Sequence, residues 1–437
     1  MSTLESAWQS LGEDADALAL VRSRAAEVPL DAVLPVGALV HDAIAAASLS
    51  ASLLAARRGR AAAGAVELDP DRIATAVTSE KHYRQRGEPM SPWAELSGFW
   101  PTGDGWVRTH ANYPHHRDRL LAALGLPLGT TADDLLAGLR GWRAADVEER
   151  AAEHGAVAVA VRTGEQWREH PQSLAAAQQP LVALERIADA PARVPRERFR
   201  VLDLTRVIAG PVATRTLALW GADVLRVDPP GLAEPEYQHL DTGAGKRSAV
   251  LDASAPEFGR LLESADVVVA GYRPGSLDRF GLSPEAIADR NPGAVIARVS
   301  AWGGIGPWGA RRGFDSIVQA ATGIAVLESP DGSRPGALPA QALDHSAGYL
   351  LAAAVTTALR RRADEGGSWL ADVSLARMAA ELMAASRDRR HRHVGFAPTV
   401  VELGELVLAA PAAGFAGSAR QWSAPPVPLG SSAPEWR

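Results

Sequence analysis

The chain has 437 residues, 47% hydrophobic and 22% charged, with a formal net charge of −6. This predicts a folded chain of two or three domains and gives no support to general nucleic-acid binding. Cysteine is absent, which excludes disulfides, thiolate catalysis and Cys-based metal sites.

The opening stretch, MSTLESAWQSLGEDADALAL, is acidic and broken by charges, unlike a secretory leader, so cytoplasmic residence is the expectation. No uncharged run approaches ~18 apolar residues, and no membrane span is expected. Residues 1–66 are Ala- and Leu-rich and read as helical, most clearly in LVHDAIAAASLSASLLAARR. Residues 67–100 carry turn signals, ELDPDR and RGEPMSPW. In GFWPTGDGWVRTHANYPHHRDRLLAALGLP, Gly103-Asp104-Gly105 suits a hairpin turn between two aromatic-bearing strands, and Pro114 precedes a helix. Residues 131–153 are helical and charged, and HGAVAVAVRTGEQWREHPQ brings a short β run and another helix start. Residues 84–182 thus read as a small α+β domain. ALERIADAPARVPRERFR (183–200), with prolines and charges, reads as a linker.

From 201 to 375 strand and helix patterns alternate. The candidate strands are VLDLTRVIA, DVLRVD, SAVLDA, DVVVAGY, AVIARVSAW and WLADVSL. That order predicts an α/β domain with a Rossmann-like open parallel sheet covered by helices. Residues 376–437 complete the chain as a helix and a tail with a β-like run, ELVLAAP.

The densest signal is Val201–Asp228, a βαβ unit whose turn is Ala209-Gly210-Pro211. A dinucleotide turn needs GxGxxG; here Gly210 stands alone, so NAD binding is not expected although Asp228 lies where a ribose-binding acid would sit. Gly243–Ser248 resembles a phosphate loop only superficially, because Ser248 opens a strand. Lys246 and Arg247 there read either as phosphate contacts or as solvated charges. VVVAGYRPGSLDRFGL places Arg273 and Arg279 near a strand's carboxyl end, the usual ligand edge of such a sheet. SAWGGIGPWGARRGFDS carries Gly303, Gly304, Gly306 and Gly309 with Trp302 and Trp308, either a wrapping loop or a long turn. Asp344 opens an Ala/Leu helix; its local pattern reads first as an N-cap, and the same position also suits a reactive carboxylate kept ionised by helix N-terminal amides. His115, His116, His391 and His393 lack a metal-binding pattern and read as solvated or capping residues; no metal site is expected.

Taken in order, these pieces resemble the family III CoA-transferases, the group of formyl-CoA and carnitine CoA-transferases and α-methylacyl-CoA racemases. The resemblance runs from about Val201 to Ser374 through VLDLTRVIAGPVATRTLALWGADVLRVDPPG, GKRSAVLDA, ADVVVAGYRPGSLDRFGLSPEAI, NPGAVIARVSAWGGIGPWGARRGFDSIVQAATG and the Asp344 helix. In the family the large CoA-binding domain comes first. Here the units resembling its small domain, GFWPTGDGWVRTHANYPHHRDRLLAALG and TGEQWREHPQ, precede it, so the chain resembles a rearranged version with its smaller α+β domain placed N-terminal.

The resemblance implies coenzyme A as the bound part of an acyl-CoA substrate. It places Val207, Ile208, Ala209 and Pro211 at the turn that contacts CoA, and Lys246, Tyr272, Arg273 and Arg279 near its adenosine and phosphates. Pro229-Pro230-Gly231 stands where some relatives supply a phosphate-binding Arg. Asp344 matches the catalytic aspartate. The implied activity is transfer of CoA from an acyl-CoA donor to a carboxylic acid acceptor, through an aspartyl anhydride and an aspartyl-CoA thioester. A homodimer, interlocked in the family, is also implied. The alternatives are a racemase-like acyl-CoA enzyme and a non-catalytic CoA-binding protein. Racemases carry a His in a GHD-like motif, where this chain has Gly313-Phe314-Asp315; neighbouring His345 keeps that alternative open.

Overall fold

The computed structural model describes residues 1–23, 28–59, 62–232, 234–386 and 395–437. An α/β layer forms its centre. A seven-stranded sheet runs in the order Ala183–Ala188, Ser368–Ser374, Val295–Ser300, Val267–Ala270, Arg200–Leu204, Asp223–Asp228, Arg247–Val250. The last six are mutually parallel, in register pairs such as Val201 with Val224 and Val267 with Val295. The apolar runs of these strands are buried on both faces, as a helix-covered parallel sheet requires. Val201, Val267 and Val269 face one core with the helices Ala209–Leu219 and Ala342–Glu365; Leu202, Val268 and Ile296 face another with Phe258, Leu261 and Ile287.

The reading of 183–200 as a linker is corrected at its first residues. Ala183–Ala188 is an antiparallel edge strand on Ser368–Ser374. Its residues stay half-buried or exposed, so no apolar pattern marked it.

The Val36–Arg57 helix packs on Ala342–Glu365, with Ser50 Oγ bonded to the Ala353 carbonyl at 2.9 Å and to Thr356 and Thr357 Oγ1 at 2.7 and 2.8 Å. By length and composition this helix could cross a membrane, but most of it is buried in the protein. Its apolar character therefore has a packing explanation, and its His41 and Asp42 are buried with Nδ1 and Oδ1 in hydrogen-bond contact at 2.9 Å.

The smaller unit is an antiparallel sheet of Phe99–Pro101, Trp106–Thr109 and Ala158–Ala160. The helices Pro114–Leu124, Ala132–Leu139 and Ala144–Glu153 pack on it around Leu120, Leu121, Leu135, Leu139 and Val147. The boundary at 84 is also corrected: Arg84–Gln85 pairs with Leu406–Ala409, in a third sheet completed by Val400–Leu403. After this hairpin the chain returns to the large sheet's other edge, where Gly430 N–H donates to Ser248 Oγ at 3.0 Å and Arg437 N–H to Asp223 Oδ2 at 2.9 Å.

The glycine-rich loop after Ser300 joins the two units. Trp302 and Trp308 are buried against Trp167 and His170. The Gln172 side chain donates to the Trp302 and Ile305 carbonyls at 2.9 and 3.0 Å and accepts the Trp308 N–H at 2.7 Å. This loop is a docked connection between the two units. A second contact stacks His110 of the small unit on Phe314, centroids 3.7 Å apart and planes parallel within 2°.

Candidate functional site

The turn after Leu204 is built on two buried ionic networks. In the first, Asp203 accepts from Thr205 N–H at 3.0 Å, Thr214 Oγ1 at 2.6 Å and Lys246 Nζ at 3.1 Å. Lys246 Nζ also donates to the Pro211 carbonyl at 2.8 Å. These bonds tie the strand, its helix and the entry to the edge strand Arg247–Val250 together. In the second, Arg226 forms a forked pair with Asp228 at 2.7 and 2.9 Å and also holds Glu234. Glu234 accepts the Val207 N–H at 2.5 Å. Val207 has φ 72°, a region costly for a β-branched residue, by roughly 1–3 kcal/mol. The Glu234 bond holds it there. Gly210, the second residue of the helix, lets the turn close tightly, since a Cβ there would lie 2.4 Å from Thr205 Cβ.

Asp344 is delivered by helix packing. A Cβ on Gly348, one turn further on, would lie 2.4 Å from the Ala209 carbonyl. Glycine at 348 therefore permits the close approach of Ala342–Glu365 to the start of Ala209–Leu219. Asp344 sits in the helix's first turn; the N-cap position is Gln341. The Asp344 N–H donates to Asp315 Oδ2 at 2.9 Å. Asp315 is held in turn by Gln319 Nε2, whose Oε1 accepts the Leu338 N–H at 2.9 Å.

Both carboxyls are buried. Burial pushes Asp315 up to about 6, against the hydrogen bonds it accepts from Asp344, Gln319 and Leu343. Burial, and then the negative charge of Asp315, holds Asp344 well above the usual carboxylate range. Among the described residues no cation or hydrogen-bond donor meets the Asp344 carboxyl. The expectation that helix amides keep Asp344 ionised is thus corrected: desolvation and the like charge outweigh the helix dipole here.

Asp344 lies on the wall of a cavity of about 630 Å³ that follows the carboxyl edge of the sheet. Leu251 and Asp252 mark one flank, beyond the edge strand; Ala301, Phe314 and Leu375 mark the Asp344 flank. Of the residues singled out in the sequence, Val207, Ala209, Tyr272, Arg273, Arg279 and Asp344 share this wall. Ile208, Pro211 and Lys246 are not on it. Lys246 is spent on Asp203, and Arg247 pairs with Asp223 at 2.8 Å, so the Lys-Arg pair is neither a phosphate contact nor solvated. Asp228 is engaged by Arg226 rather than left for a ribose.

Sequence reasoning missed the contribution of the small unit. Tyr113, His115, His116 and Arg119 line the cavity, as do Arg206 and Arg312. His116 is buried, which corrects its reading as a solvated or capping residue, and burial pushes it down to about 2, a neutral ring. The available signal was density, YPHHRDR at a helix start, but nothing local says which surface that helix faces. His391 and His393 lie outside the described residues. Phe314 occupies the position after Gly313 with His110 stacked on it, while His345 is buried off the cavity wall.

Residues 197–393 match the model of CoA-transferase family III. Over this segment the chain is similar to the family III CoA-transferases. The chain is 35% identical over 209 residues to the probable fatty acyl-CoA transferase Rv3272 of Mycobacterium tuberculosis, covering 44% of this chain and 52% of that protein. It is 31% identical over 197 residues to the succinyl-CoA–D-citramalate CoA-transferase of Chloroflexus aurantiacus, covering 41% of this chain and 49% of that one. A crystal structure of Rv3272, orthorhombic form, aligns with a TM-score of 0.41 at 34% identity, over 44% of this chain and 57% of that chain. The chain thus spans about half the length of these relatives, and the matched segment begins near its middle.

Proposed function

We propose that the protein transfers coenzyme A from an acyl-CoA donor to a carboxylic acid acceptor, with Asp344 as nucleophile. One observation carries the assignment of Asp344: a buried carboxyl without a counter-ion, on the wall of a cavity that follows the ligand edge of the sheet in the segment similar to the CoA-transferases. The family match and the named transferases support CoA as the group transferred. Tyr272, Arg273 and Arg279 are suited to hold the nucleotide portion, and the Val207–Ala209 turn to line the path toward Asp344.

The ionised Asp344 oxygen attacks the thioester carbonyl; a C–O bond forms, the C–S bond breaks, and CoA thiolate leaves. The thiolate attacks the aspartyl carbonyl of the mixed anhydride, releasing the donor acid as a carboxylate and leaving an aspartyl-CoA thioester. The acceptor carboxylate then displaces the thiolate, giving a second anhydride. Attack of the thiolate on its acyl carbonyl yields the new acyl-CoA and regenerates Asp344. Protons are neither consumed nor released. A desolvated carboxylate of raised basicity is the better nucleophile, so the burial that disfavours the charge also serves attack. Each well-placed backbone N–H facing the oxyanion contributes of order 3 kcal/mol.

The test is mass spectrometry of the protein incubated with a panel of acyl-CoAs and trapped with hydroxylamine. A modification at Asp344 that disappears in Asp344→Ala is expected. Efficient transfer by Asp344→Ala would remove the assignment. Exchange of the α-proton without modification of Asp344 would favour racemase-like chemistry.

A further inference from the structure

Arginine supplies almost all of the positive charge of this chain. Of its 45 basic side chains only two, Lys81 and Lys246, are lysines. The difference is chemical. A guanidinium stays protonated and does not attack carbonyls, whereas a lysine amine that sheds its proton is a nucleophile. Acyl thioesters therefore meet very few reactive amines on this protein.

The two lysines have opposite surroundings. Lys246 is buried, and its three N–H bonds are spent on Asp203, the Pro211 carbonyl and Thr214 Oγ1 at 3.1, 2.8 and 2.6 Å. Lys81 lies on the short helix Ser79–His82 and is exposed. Among the described residues no carboxylate pairs with it. Its Nζ donates instead to the Pro339 carbonyl at 2.5 Å.

Pro339 belongs to the segment through which the chain enters the Asp344 helix. Its neighbour Leu338 is buried and donates its N–H to Gln319 Oε1 at 2.9 Å. Gln319 Nε2 donates to Asp315, and Asp315 Oδ2 accepts the Asp344 N–H at 2.9 Å. Gln341, two residues beyond Pro339, is the N-cap position of Ala342–Glu365. The Lys81 bond thus ties the N-terminal part of the chain to the segment that delivers Asp344.

We propose that Lys81 is an acylation site, at which acyl-CoA loosens the entry to the Asp344 helix and slows the enzyme. The ammonium first gives a proton to solvent. The amine then attacks the thioester carbonyl; a C–N bond forms, the C–S bond breaks, and the CoA thiolate takes up the second proton and leaves as the thiol. The product is a neutral amide with one N–H in place of three. A charge-assisted hydrogen bond is roughly twice as strong as a neutral one, so the tie to Pro339 weakens. Acyl-CoA as the donor rests on the transferase reading of the site; the tie itself does not.

Peptide mapping of the full-length protein held with acetyl-CoA at mildly alkaline pH is expected to find acetyl groups on Lys81 and none on Lys246. Asp344→Ala is expected to be acetylated at Lys81 as well, because the thioester is the direct donor. On the acetylated protein, hydrogen exchange in the segment 338–344 is expected to quicken about threefold or more, a local opening short of unfolding. In transfer assays kcat is expected to fall while KM for the acyl-CoA stays within about twofold. Lys81→Gln should reproduce both changes without acetyl-CoA. Lys81→Arg, which keeps a cation and cannot be acylated, should hold its exchange rate and its kcat through the incubation. Unmodified Lys81 overturns the proposal, as does acetylated Lys81 with unchanged exchange, or with faster exchange and full kcat. Exchange needs no turnover. An inactive wild type whose exchange responds to acetylation removes only the transferase reading; an active one whose exchange does not respond removes only the Lys81 switch.

Discussion

Asp315 and Asp344 come from separate helices, and the backbone of one is hydrogen-bonded to the side chain of the other: Asp344 N–H donates to Asp315 Oδ2 at 2.9 Å. The contact fixes the first turn of Ala342–Glu365 and sets a negative charge beside the nucleophile. Asp315 is thus a positioning residue with an electrostatic effect. In Asp315→Asn the amide oxygen can still accept the N–H while the charge is gone. The Asp344 pKa should fall, so the acid limb of the kcat/KM–pH profile should move toward lower pH. Asp315→Ala also removes the acceptor and should cost at least ~tenfold in kcat/KM, a buried unpaired donor being worth about 1–3 kcal/mol. An unmoved acid limb in Asp315→Asn would show that the charge of Asp315 does not reach the nucleophile.

The same pair gives stability a pH dependence of unusual sign. Both folded-state pKa values are raised, so above the unfolded carboxyl value near 4 the folded state holds more protons than the unfolded one. These two groups therefore weaken the fold as pH rises from about 4 through the folded values, and have no such effect below 4. Asp344→Asn should stabilise the protein at pH 8 by of order 1 kcal/mol or more and do little at pH 4. Thermal melts at the two pH values compare the gains; equal gains would mean that Asp344 is not held protonated by burial.

Gly348 marks where the two helices beneath the site touch. Gly348→Val would force its side chain against the Ala209 carbonyl, with an expected cost of about 1–3 kcal/mol. Because Asp344 is one turn away, kcat should fall in any fraction that remains folded. Chemical denaturation with a single-turnover assay at a temperature below the new transition checks both. Full activity with lowered stability would mean that Asp344 tolerates helix displacement.

Two cations expected from the sequence to serve the same ligand should separate experimentally. Lys246→Met leaves Asp203 buried without its cation, and losing one partner of such a pair costs about 3–5 kcal/mol. Arg279 is exposed on the cavity wall, so Arg279→Gln should change stability by less than about 0.5 kcal/mol while weakening CoA binding. Denaturation and CoA titration of both variants give the comparison. A stable Lys246→Met protein with impaired CoA binding would restore Lys246 to the ligand site.

Much of the large sheet was legible because its strands are local apolar runs separated by turn signals. DVLRVD and the start of VLDLTRVIA declare themselves by composition, and parallel strands buried on both faces need no distant partner to be recognised. Asp344 was also reachable, through its place at the head of an Ala/Leu helix together with the family-like order of the pieces. Ala183–Ala188 was not, because an edge strand with exposed residues has the composition of a connection.

What the sequence alone determined is therefore the alternation of strand and helix, the absence of thiol chemistry, and a short list of chemistry-bearing residues. Which of them meet was decided by tertiary structure. Lys246 and Arg273 are both cations in loops or at strand ends, yet one is drawn into the core by Asp203 and the other left at the cavity wall. His116 and Arg119 gained their place only when the glycine-rich loop, held by Gln172, docked the small unit against the sheet edge. The physical reason is that helix and strand formation depend on neighbours in sequence. Burial, charge pairing and the pKa of Asp344 depend on groups that approach from far along the chain, such as Asp315 and Ala209.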